Sequence, residues 1–296
     1  MAEEIVLSKG QTSATIYTVG AALSSLVWRD ENYCPDVSTK DIAKYFQGSV
    51  IAPWANRIED GEYVFEGRSH ALEMNETERK TALHGFSANQ DWIIADRGPS
   101  HLKLETTTGA QIGYPWAIKL GADYRLLRNG LRLEFTAENQ GSSTAPFGFA
   151  FHPYLKLPAS DRSDWRFVSP ARTVMLVDKN RLLPTDTVDV GETKFDFRGG
   201  QSPCLEDLDN AFTDLPSGKQ DVYLTDGRRR VTVSWSSSAP WLQVHYPRSQ
   251  GPDRASLVIE PTTGGPNAFN SISGPAALTP NTQFRASVEI RLSIEP

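Results

Sequence analysis

The sequence contains little cysteine and no long hydrophobic run. Only Cys34 and Cys204 occur among its 296 residues, which does not indicate the disulfide framework of a small secreted protein. No apolar stretch approaches the roughly 20 residues that span a bilayer. The acidic N-terminus lacks the basic and apolar regions of a signal peptide. We therefore expect a soluble protein of the reducing cytoplasm that does not associate with a membrane.

Positive charge is also scarce. The chain has 30 Lys and Arg residues against 36 Asp and Glu residues, which gives a formal net charge of −6 at pH 7. An excess of negative charge disfavours binding to the phosphate backbone of nucleic acids and to anionic lipids. The sequence therefore predicts no nucleic-acid partner, although the net charge does not exclude a local basic pocket.

Sequence motifs of the common cofactors are missing as well. There is no P-loop, no Gly-x-Gly-x-x-Gly fingerprint and no Gly-x-Ser-x-Gly elbow, and the five histidines do not have the spacing of metal ligands. These absences argue against phosphoryl transfer, hydride transfer and covalent catalysis. We expect neither a cofactor nor a metal ion.

Patterns typical of helices are few, and patterns typical of strands dominate. Residues 38–46, with Ser38 as a cap, and residues 207–212 predict short helical segments. Elsewhere polar and apolar residues alternate as in half-buried strands, and Asn-Gly and Asp-Gly pairs mark tight turns between them. The alternating runs are residues 14–19, 101–106, 118–124, 132–137, 230–235, 241–246 and 286–294. The sequence predicts one domain over residues 1–296, an all-β fold built as a large antiparallel β-sandwich with few short helices.

Two proton-transfer residues lie at the ends of strand-like runs, each directly before a proline. If residues 147–154 form one strand, its aromatic residues face the core, and His152 ends the opposite, nearly bare face, which leaves room for a ligand. Glu260 ends an apolar run, where partial desolvation would raise the pKa of its carboxyl and make it a better base near neutral pH. The two residues predict an acid/base pair. A backbone-bonded structural histidine and a surface glutamate are the alternatives.

Three upstream residues are further candidates for ligand contacts. Asn56 and Arg57 precede a predicted hairpin, and arginine offers fork-like donors to sugar oxygens or to a developing oxyanion. His84 precedes Gly85, which permits a close approach of the backbone. A surface arginine and a structural histidine are the alternatives.

One face of the run 241–246 carries Trp241, Gln243 and His245. A tryptophan, an amide and an imidazole in a row predict a surface on which a sugar can lie. Solvation of an edge strand is the alternative explanation.

Taken in order along the chain, these residues resemble the aldose 1-epimerase (galactose mutarotase) family. The similarity covers essentially the whole chain, and six short motifs in family-like order are more specific than any one of them. The resemblance implies the family's galactose mutarotase-like supersandwich, which agrees with the alternating pattern. The motifs are Asn56-Arg57-Ile58 with Gly61 and Tyr63, Asn75-Glu76, Leu83-His84-Gly85-Phe86 with Trp92, His152-Pro153-Tyr154, Leu208-Asp209-Asn210-Ala211-Phe212 and Glu260-Pro261.

The resemblance implies a role for each candidate in interconverting the α and β anomers of a hexose. His152 would be the general acid that protonates the ring oxygen, and Glu260 the general base that takes the proton of the C1 hydroxyl. Arg57 and His84 would hold the ring-oxygen side and stabilise developing charge, and Asp209 would bind sugar hydroxyls. The predicted substrate-binding set also contains Asn56, Gln243 and Tyr154.

The identity of the sugar stays open. Asn210 and the loop of residues 262–267 differ from galactose-type members of the family and bear on which sugar fits. An anionic sugar, such as a hexose 6-phosphate or a sulfonated hexose, would require cations near C6, for which Arg79, Lys80 and Arg248 are candidates. A non-catalytic sugar-binding module is a different class of function, and a glycoside hydrolase or lyase is disfavoured because no paired carboxylate motif stands out. A monomer is the default expectation, with a dimer as the alternative.

Overall fold

The computed structural model describes residues 2–35, 38–205, 208–216, 220–247, 256–272 and 274–295. Within these ranges most of the regular structure is β-strand, with one α-helix, α1 (Thr39–Tyr45), and short 3-10 turns at Ser87–Asn89, Arg162–Asp164, Val190–Glu192 and Ala268–Asn270. No helix in the described ranges is long and apolar enough to cross a bilayer. The strands are β1 (Glu4–Lys9), β2 (Thr12–Tyr17), β3 (Ala22–Trp28), β4 (Glu31–Asn32), β5 (Val50–Ile51), β6 (Arg57–Glu59), β7 (Glu62–Phe65), β8 (Arg68–Ala71), β9 (Thr81–Leu83), β10 (Ile93–Gly98), β11 (His101–Thr108), β12 (Ile118–Leu127), β13 (Gly130–Asn139), β14 (Ala145–Phe147), β15 (Ala150–Phe151), β16 (Tyr154–Leu155), β17 (Arg166–Val168), β18 (Thr173–Val177), β19 (Pro184–Asp189), β20 (Asp209–Thr213), β21 (Gln220–Thr225), β22 (Arg229–Trp235), β23 (Trp241–His245), β24 (Leu257–Thr262), β25 (Ala276–Leu278) and β26 (Gln283–Ile294).

Two large antiparallel sheets dominate the fold. The first has the strand order β10-β11-β12-β13-β26-β22-β21-β17, and the second has the order β19-β18-β20-β23-β24-β15-β5, with β16 also paired to β24. A four-stranded sheet, β1 to β4, and three two-stranded sheets complete the architecture. The prediction of a large antiparallel β-sandwich is confirmed.

The core lies between the two large sheets and is rich in aromatic rings. Phe135 of β13 stacks on Phe149 with ring centroids 4.2 Å apart, and Tyr124 of β12 lies 6.3 Å from Phe151 of β15. One continuous cluster of buried apolar residues includes members of both large sheets and of the four-stranded sheet. Burial of this apolar surface is the main favourable contribution to folding.

Local patterns predicted several elements well. The alternating run 132–137 lies in β13, whose residues from 131 to 139 alternate between buried and less buried positions. The turn between β12 and β13 lies beside the predicted Asn-Gly pair, because Leu127 is paired with Gly130 and the two turn residues are Arg128 and Asn129. The predicted helix at residues 38–46 is α1.

Two local predictions are wrong. The run 147–154 is not one strand but belongs to β14, β15 and β16, because the chain changes partners at Gly148 and again at Pro153, which has no N–H to donate. The segment 207–212 is not helical, since β20 begins at Asp209 and pairs with both β18 and β23. Its apolar residues Leu208, Ala211 and Phe212 have helical spacing, but pairing on both sides decides the conformation. Asp207 lies outside the described residues.

The aromatic core gives a stability prediction. Phe149 is fully buried, so Phe149→Ala should lower the free energy of unfolding by about 3–5 kcal/mol through lost burial and a residual cavity. Urea unfolding measures this loss. Val64→Ala is the control, because Val64 is 61% exposed and its truncation should change stability by only about 0.5 kcal/mol. Equal small effects of the two variants would contradict the placement of Phe149.

Candidate active site

A cavity of about 160 Å³ lies where β15, β16, β20, β23 and β24 meet helix α1 and the β6–β9 pair. Its lining residues are Lys44, Tyr45, Phe46, Asn56, Arg57, Leu83, His84, His152, Tyr154, Asp209, Gln243, His245 and Glu260. All eight site residues predicted from the sequence are among them. The fold therefore brings together side chains that are as much as two hundred positions apart in the chain.

Two neighbouring strands place His152 and Glu260 against each other. Glu260 lies in β24, opposite Gln243 of β23. His152 follows β15 directly, and its backbone is fixed on both sides because its N–H donates to the Ser49 carbonyl at 3.0 Å while its own carbonyl accepts from Gly48 N–H at 2.9 Å. The distance from His152 Nε2 to Glu260 Oε2 is 3.6 Å.

Burial controls the protonation of this pair. Glu260 is 1% exposed and His152 is 6% exposed. Burial, reinforced by Asp209, raises the pKa of the Glu260 carboxyl well above its usual value, against the opposing effect of Arg57. Burial, reinforced by His245, lowers the pKa of His152 to about 3, although Asp209 acts in the opposite direction. Both shifts favour the uncharged forms, in which the two groups hold one proton between them as a protonated carboxyl beside a neutral imidazole.

Unpaired acceptors surround the pair. Among the described residues, Glu260 Oε1 and Gln243 Oε1 are buried and have no hydrogen-bond partner. A buried acceptor without a donor costs free energy. Both oxygens would be satisfied by the hydroxyl groups of a ligand, which is the chemistry expected of a sugar site.

The hydrogen bonds of His84 fix its tautomer. Asn56 N–H donates to His84 Nδ1 at 3.2 Å, and His84 N–H donates to the Asn56 carbonyl at 3.0 Å. Because Nδ1 accepts, the ring proton of neutral His84 is on Nε2. Burial, with smaller contributions from His152 and Arg57, lowers the pKa of His84 well below its usual value. His84 is therefore a neutral hydrogen-bond donor whose ring lies 5.1 Å from that of His152.

An unusual backbone turn places His84 there. His84 has a φ of 58°, and Gly85 follows with the same φ. A Cβ at Gly85 would lie 2.3 Å from the carbonyl oxygen of Ala52, so only glycine fits at this position. The glycine after His84 is therefore required because a side chain at this position would collide with the Ala52 carbonyl.

Arg57 and Asp209 form the polar wall of the cavity. Arg57 binds Glu76 through two parallel hydrogen bonds, and its Nη1 lies 3.9 Å from Asp209 Oδ2. Asp209 accepts from Gln243 Nε2 at 2.6 Å and lies 3.8 Å from His245 Nδ1. Burial raises the pKa of Asp209, but His245 and Arg57 outweigh it, and the pKa is below its usual value. Asp209 is therefore an ionised acceptor for hydroxyl groups.

Helix α1 supplies a wall that the sequence did not predict. Tyr154 O–H donates to the Tyr45 carbonyl at 3.2 Å, which ties β16 to the end of the helix. Lys44, Tyr45 and Phe46 then line the cavity. The helix itself was predictable from residues 38–46, but nothing in its local sequence indicates that its end faces a site.

The predicted row of Trp241, Gln243 and His245 is only partly in the cavity. Gln243 and His245 line it, whereas Trp241 lines a separate cavity together with Trp54 and Phe147. His245, which the sequence placed on this face without a defined role, lies beside Asp209, with 3.8 Å between Nδ1 and Oδ2.

The two features expected to bear on substrate choice have hydrogen-bond partners within the protein. Asn210 donates to the Met175 carbonyl at 2.9 Å, which ties β20 to β18. In the loop 262–267, Thr263 Oγ1 accepts from Phe149 N–H, and Asn267 N–H donates to the Arg57 carbonyl at 2.7 Å. These polar groups connect the walls of the site and do not line the reaction cavity, although Asn210 lines a larger cleft beside it.

The cavity thus holds a histidine and a carboxyl group 3.6 Å apart beside buried acceptors that have no partner, an arrangement compatible with acid/base chemistry on a small hydroxylated molecule. Although histidines and carboxylates line the cavity, no three of them within the described ranges are placed to share a metal ion. The family model for aldose 1-epimerase matches residues 3–291. The chain belongs to the aldose 1-epimerase family, and it is an isomerase of the mutarotase type.

Individual relatives show how far the similarity extends. YihR of Escherichia coli, described as uncharacterized, is 30% identical over 270 residues, which are 91% of this chain and 86% of YihR. Galactose mutarotase of Rattus norvegicus is 25% identical over 213 residues, which are 66% of this chain and 60% of the rat protein. The crystal structure of the GalM/aldose epimerase homologue from C. elegans has a TM-score of 0.88 at 19% identity, with 100% of both chains covered, which shows a shared fold.

The electrostatics of the site give a spectroscopic prediction. From pH 5 to 7.5, His84 should show a neutral imidazole with its proton on Nε2, because Nδ1 accepts the Asn56 amide and burial lowers the pKa of the ring. Long-range ¹H–¹⁵N spectra distinguish the two tautomers and the imidazolium, and His84→Gln assigns the signal. A proton on Nδ1, or a titration near the usual value of 6.5, would contradict this description of the site.

Proposed function

We propose that the protein interconverts the α and β anomers of a hexose by acid/base catalysis. The observation that carries the proposal is the buried pair of His152 and Glu260, with 3.6 Å between Nε2 and Oε2. In a cyclic aldose the ring oxygen and the C1 hydroxyl are bonded to the same carbon. An acid for one oxygen and a base for the other therefore have to be close neighbours, and this pair meets that requirement.

Each step of the proposed reaction transfers protons within the pair and the sugar. Ring opening starts when the proton of the pair moves from Glu260 to His152. His152 then gives this proton to the ring oxygen while the Glu260 carboxylate takes the proton of the C1 hydroxyl, and the bond between C1 and the ring oxygen breaks. The product is the open-chain aldehyde, bound beside a neutral imidazole and a protonated carboxyl. Rotation about the C1–C2 bond presents the other carbonyl face, and ring closure returns both protons.

The pKa directions favour the end state of ring opening. Burial favours the uncharged forms of His152 and Glu260, which are the forms that accompany the open-chain aldehyde. The site therefore favours the protonation state of the intermediate and holds no net charge on the pair through the reaction. A preorganised environment of this kind needs little rearrangement at the moment of proton transfer.

The remaining lining residues are proposed to hold the sugar. Arg57 and His84 are placed to donate hydrogen bonds on the ring-oxygen side, where negative charge develops. Asp209 and Gln243 offer acceptors to hydroxyl groups. Asn56 acts through the backbone contacts that orient His84, and Tyr154 holds the end of helix α1 against the cavity.

Substitution of the pair tests the mechanism. His152→Ala and Glu260→Gln should each reduce kcat/KM by about 10²–10⁴-fold, since each removes one proton-transfer group. Exchange NMR or polarimetry of glucose and galactose measures the rate of anomer interconversion. His101→Ala is the matched control, because His101 lies on β11 of the other large sheet, does not line the cavity and pairs with Asp96.

The outcome of the same assay separates the functional alternatives. No acceleration of any aldose by the wild-type protein would overturn the proposal. Sugar binding without acceleration would favour the non-catalytic module. Full activity in either site variant would contradict the assignment of the pair.

A mutarotase for an anionic sugar is the second candidate, and an adjoining cleft favours it. This cleft of about 1120 Å³ shares Tyr45, Arg57, Tyr154, Asp209 and His245 with the reaction cavity. Its further walls include the cations of Arg79, Lys179 and Lys194. Of the predicted cations, Arg79 lines this cleft but is paired with Glu76. Lys80 does not line the cleft, and Arg248 lies outside the described residues.

A panel of sugars distinguishes the two candidates. If the cleft holds an anionic substituent, Lys179→Ala should lower kcat/KM for glucose 6-phosphate or a sulfonated hexose by about tenfold, the cost of one charge-assisted contact. The rate with glucose should not change, because Lys179 does not line the reaction cavity. Equal effects on neutral and anionic sugars would contradict an anion subsite, and acceleration confined to anionic sugars would replace the first candidate.

A further inference from the structure

The guanidinium of Arg57 is held by a carboxylate from a different segment of the chain. Glu76 Oε2 accepts from Arg57 Nε at 2.8 Å, and Glu76 Oε1 accepts from Arg57 Nη2 at 3.0 Å. Two parallel bonds fix the plane of a guanidinium as well as its position. Glu76 is not among the described residues that line the reaction cavity.

The position of Glu76 is itself fixed by the turn before β9. Glu76 and Thr81 exchange backbone hydrogen bonds of 3.2 Å in both directions, and Thr81 Oγ1 donates to Glu76 Oε2 at 2.7 Å. The neighbouring Asn75 side chain binds both the N–H and the carbonyl of Leu83. Leu83 is the residue paired with Arg57 across the β6–β9 ladder. One compact unit therefore carries both Arg57 and the carboxylate that holds it.

A second carboxylate competes for the same guanidinium. Asp209 Oδ2 lies 3.9 Å from Arg57 Nη1, which is longer than a good hydrogen bond. Arg57 Nη1 also donates to Asn56 Oδ1 at 3.3 Å. Without Glu76, Asp209 is the nearest carboxylate to which the guanidinium can move. A direct Arg57–Asp209 pair would occupy two groups that the sugar needs.

We propose that Glu76 is a positioning residue, which orients Arg57 for the substrate and keeps it separate from Asp209. The inference rests on the proposed function, and it assigns a role to the Asn75-Glu76 motif, which the reaction itself does not explain. Asn75 holds the turn on β9, and Glu76 transmits that position to the guanidinium. Glu76 touches no reacting atom and acts on the reaction cavity through Arg57. Its second ion pair, with Arg79 Nε at 3.2 Å, involves a residue that lines only the adjoining cleft.

A double-mutant cycle tests the proposal. Glu76→Gln keeps the length of the side chain but replaces one acceptor with a donor that faces the guanidinium. We expect it to lower kcat/KM by up to about 100-fold, the effect of displacing a group that contacts the substrate, with most of the loss in kcat. In an Arg57→Gln background the same change should have less than about a twofold effect, because its target is gone.

Glu59→Gln is the matched control. Glu59 lies two residues after Arg57 on the same strand and pairs with Arg181 at 3.1 Å. The Glu59→Gln variant therefore shows the effect of losing an Arg–carboxylate pair that does not involve the site. It should leave kcat/KM unchanged. Thermal unfolding of each variant separates loss of folded protein from loss of positioning, and Glu76→Asp, which keeps the charge but is one methylene shorter, should retain part of the activity.

A second readout does not depend on catalysis. In the wild type and in Glu59→Gln, the Arg57 Nε–H should give a slowly exchanging ¹H–¹⁵N signal, which Glu76→Gln should shift or lose. Equal fold-losses from Glu76→Gln in the wild-type and Arg57→Gln backgrounds, or an unchanged Nε–H signal, would overturn the positioning role. An inactive wild type with the expected change in the Nε–H signal would instead overturn the proposed function alone.

Discussion

The site depends on burying two ionisable groups next to each other. His152 and Glu260 lie 3.6 Å apart and are almost inaccessible to water. Charging either group alone at this depth is costly, whereas one proton shared between them leaves the pair neutral. The pKa of Glu260 is raised and that of His152 is lowered for this reason. A reaction that moves one proton out of the pair while another enters is compatible with such a site, because it creates no net charge there.

The surrounding structure holds this pair and its neighbours in place largely through backbone contacts. His152 is fixed to the segment at Gly48 and Ser49, and His84 is oriented by the Asn56 amide. The loop after Glu260 is fastened to Arg57 and to Phe149. Polar side chains that face the cavity are thus held by groups outside it. Glu76, which binds Arg57 from outside the cavity, is one of these supporting groups. A substrate can then be recognised by groups that are already oriented, which reduces the entropic cost of reaching a reactive geometry.

The sequence predicted the parts of this structure that depend on local pattern. The alternation in β13 and the short helix at residues 38–46 are local, and both appear as expected, the helix as Thr39–Tyr45. The breaks within residues 147–154 and the extended conformation of β20 depend on partners far away in the chain, so local pattern predicted them wrongly. For the site, the residue types alone did not distinguish a catalytic from a structural role for His152 and Glu260. The order of the six motifs along the chain indicated that these residues belong to one site. The end of helix α1 and the carboxylate behind Arg57 carry no local signal of their position.

The pH dependence of anomer interconversion tests the shared proton most directly. Exchange NMR with a neutral aldose gives kcat/KM at each pH once the uncatalysed rate is subtracted. If one proton is shared between a histidine whose pKa is lowered to about 3 and a glutamate whose pKa is raised, kcat/KM should not decrease as the pH is lowered from 6.5 to 4.5. It should decrease as the pH rises through the elevated pKa of Glu260, where the pair loses its proton. A bell-shaped profile with limbs at the usual values of 4.5 for glutamate and 6.5 for histidine would contradict the buried pair as the origin of catalysis.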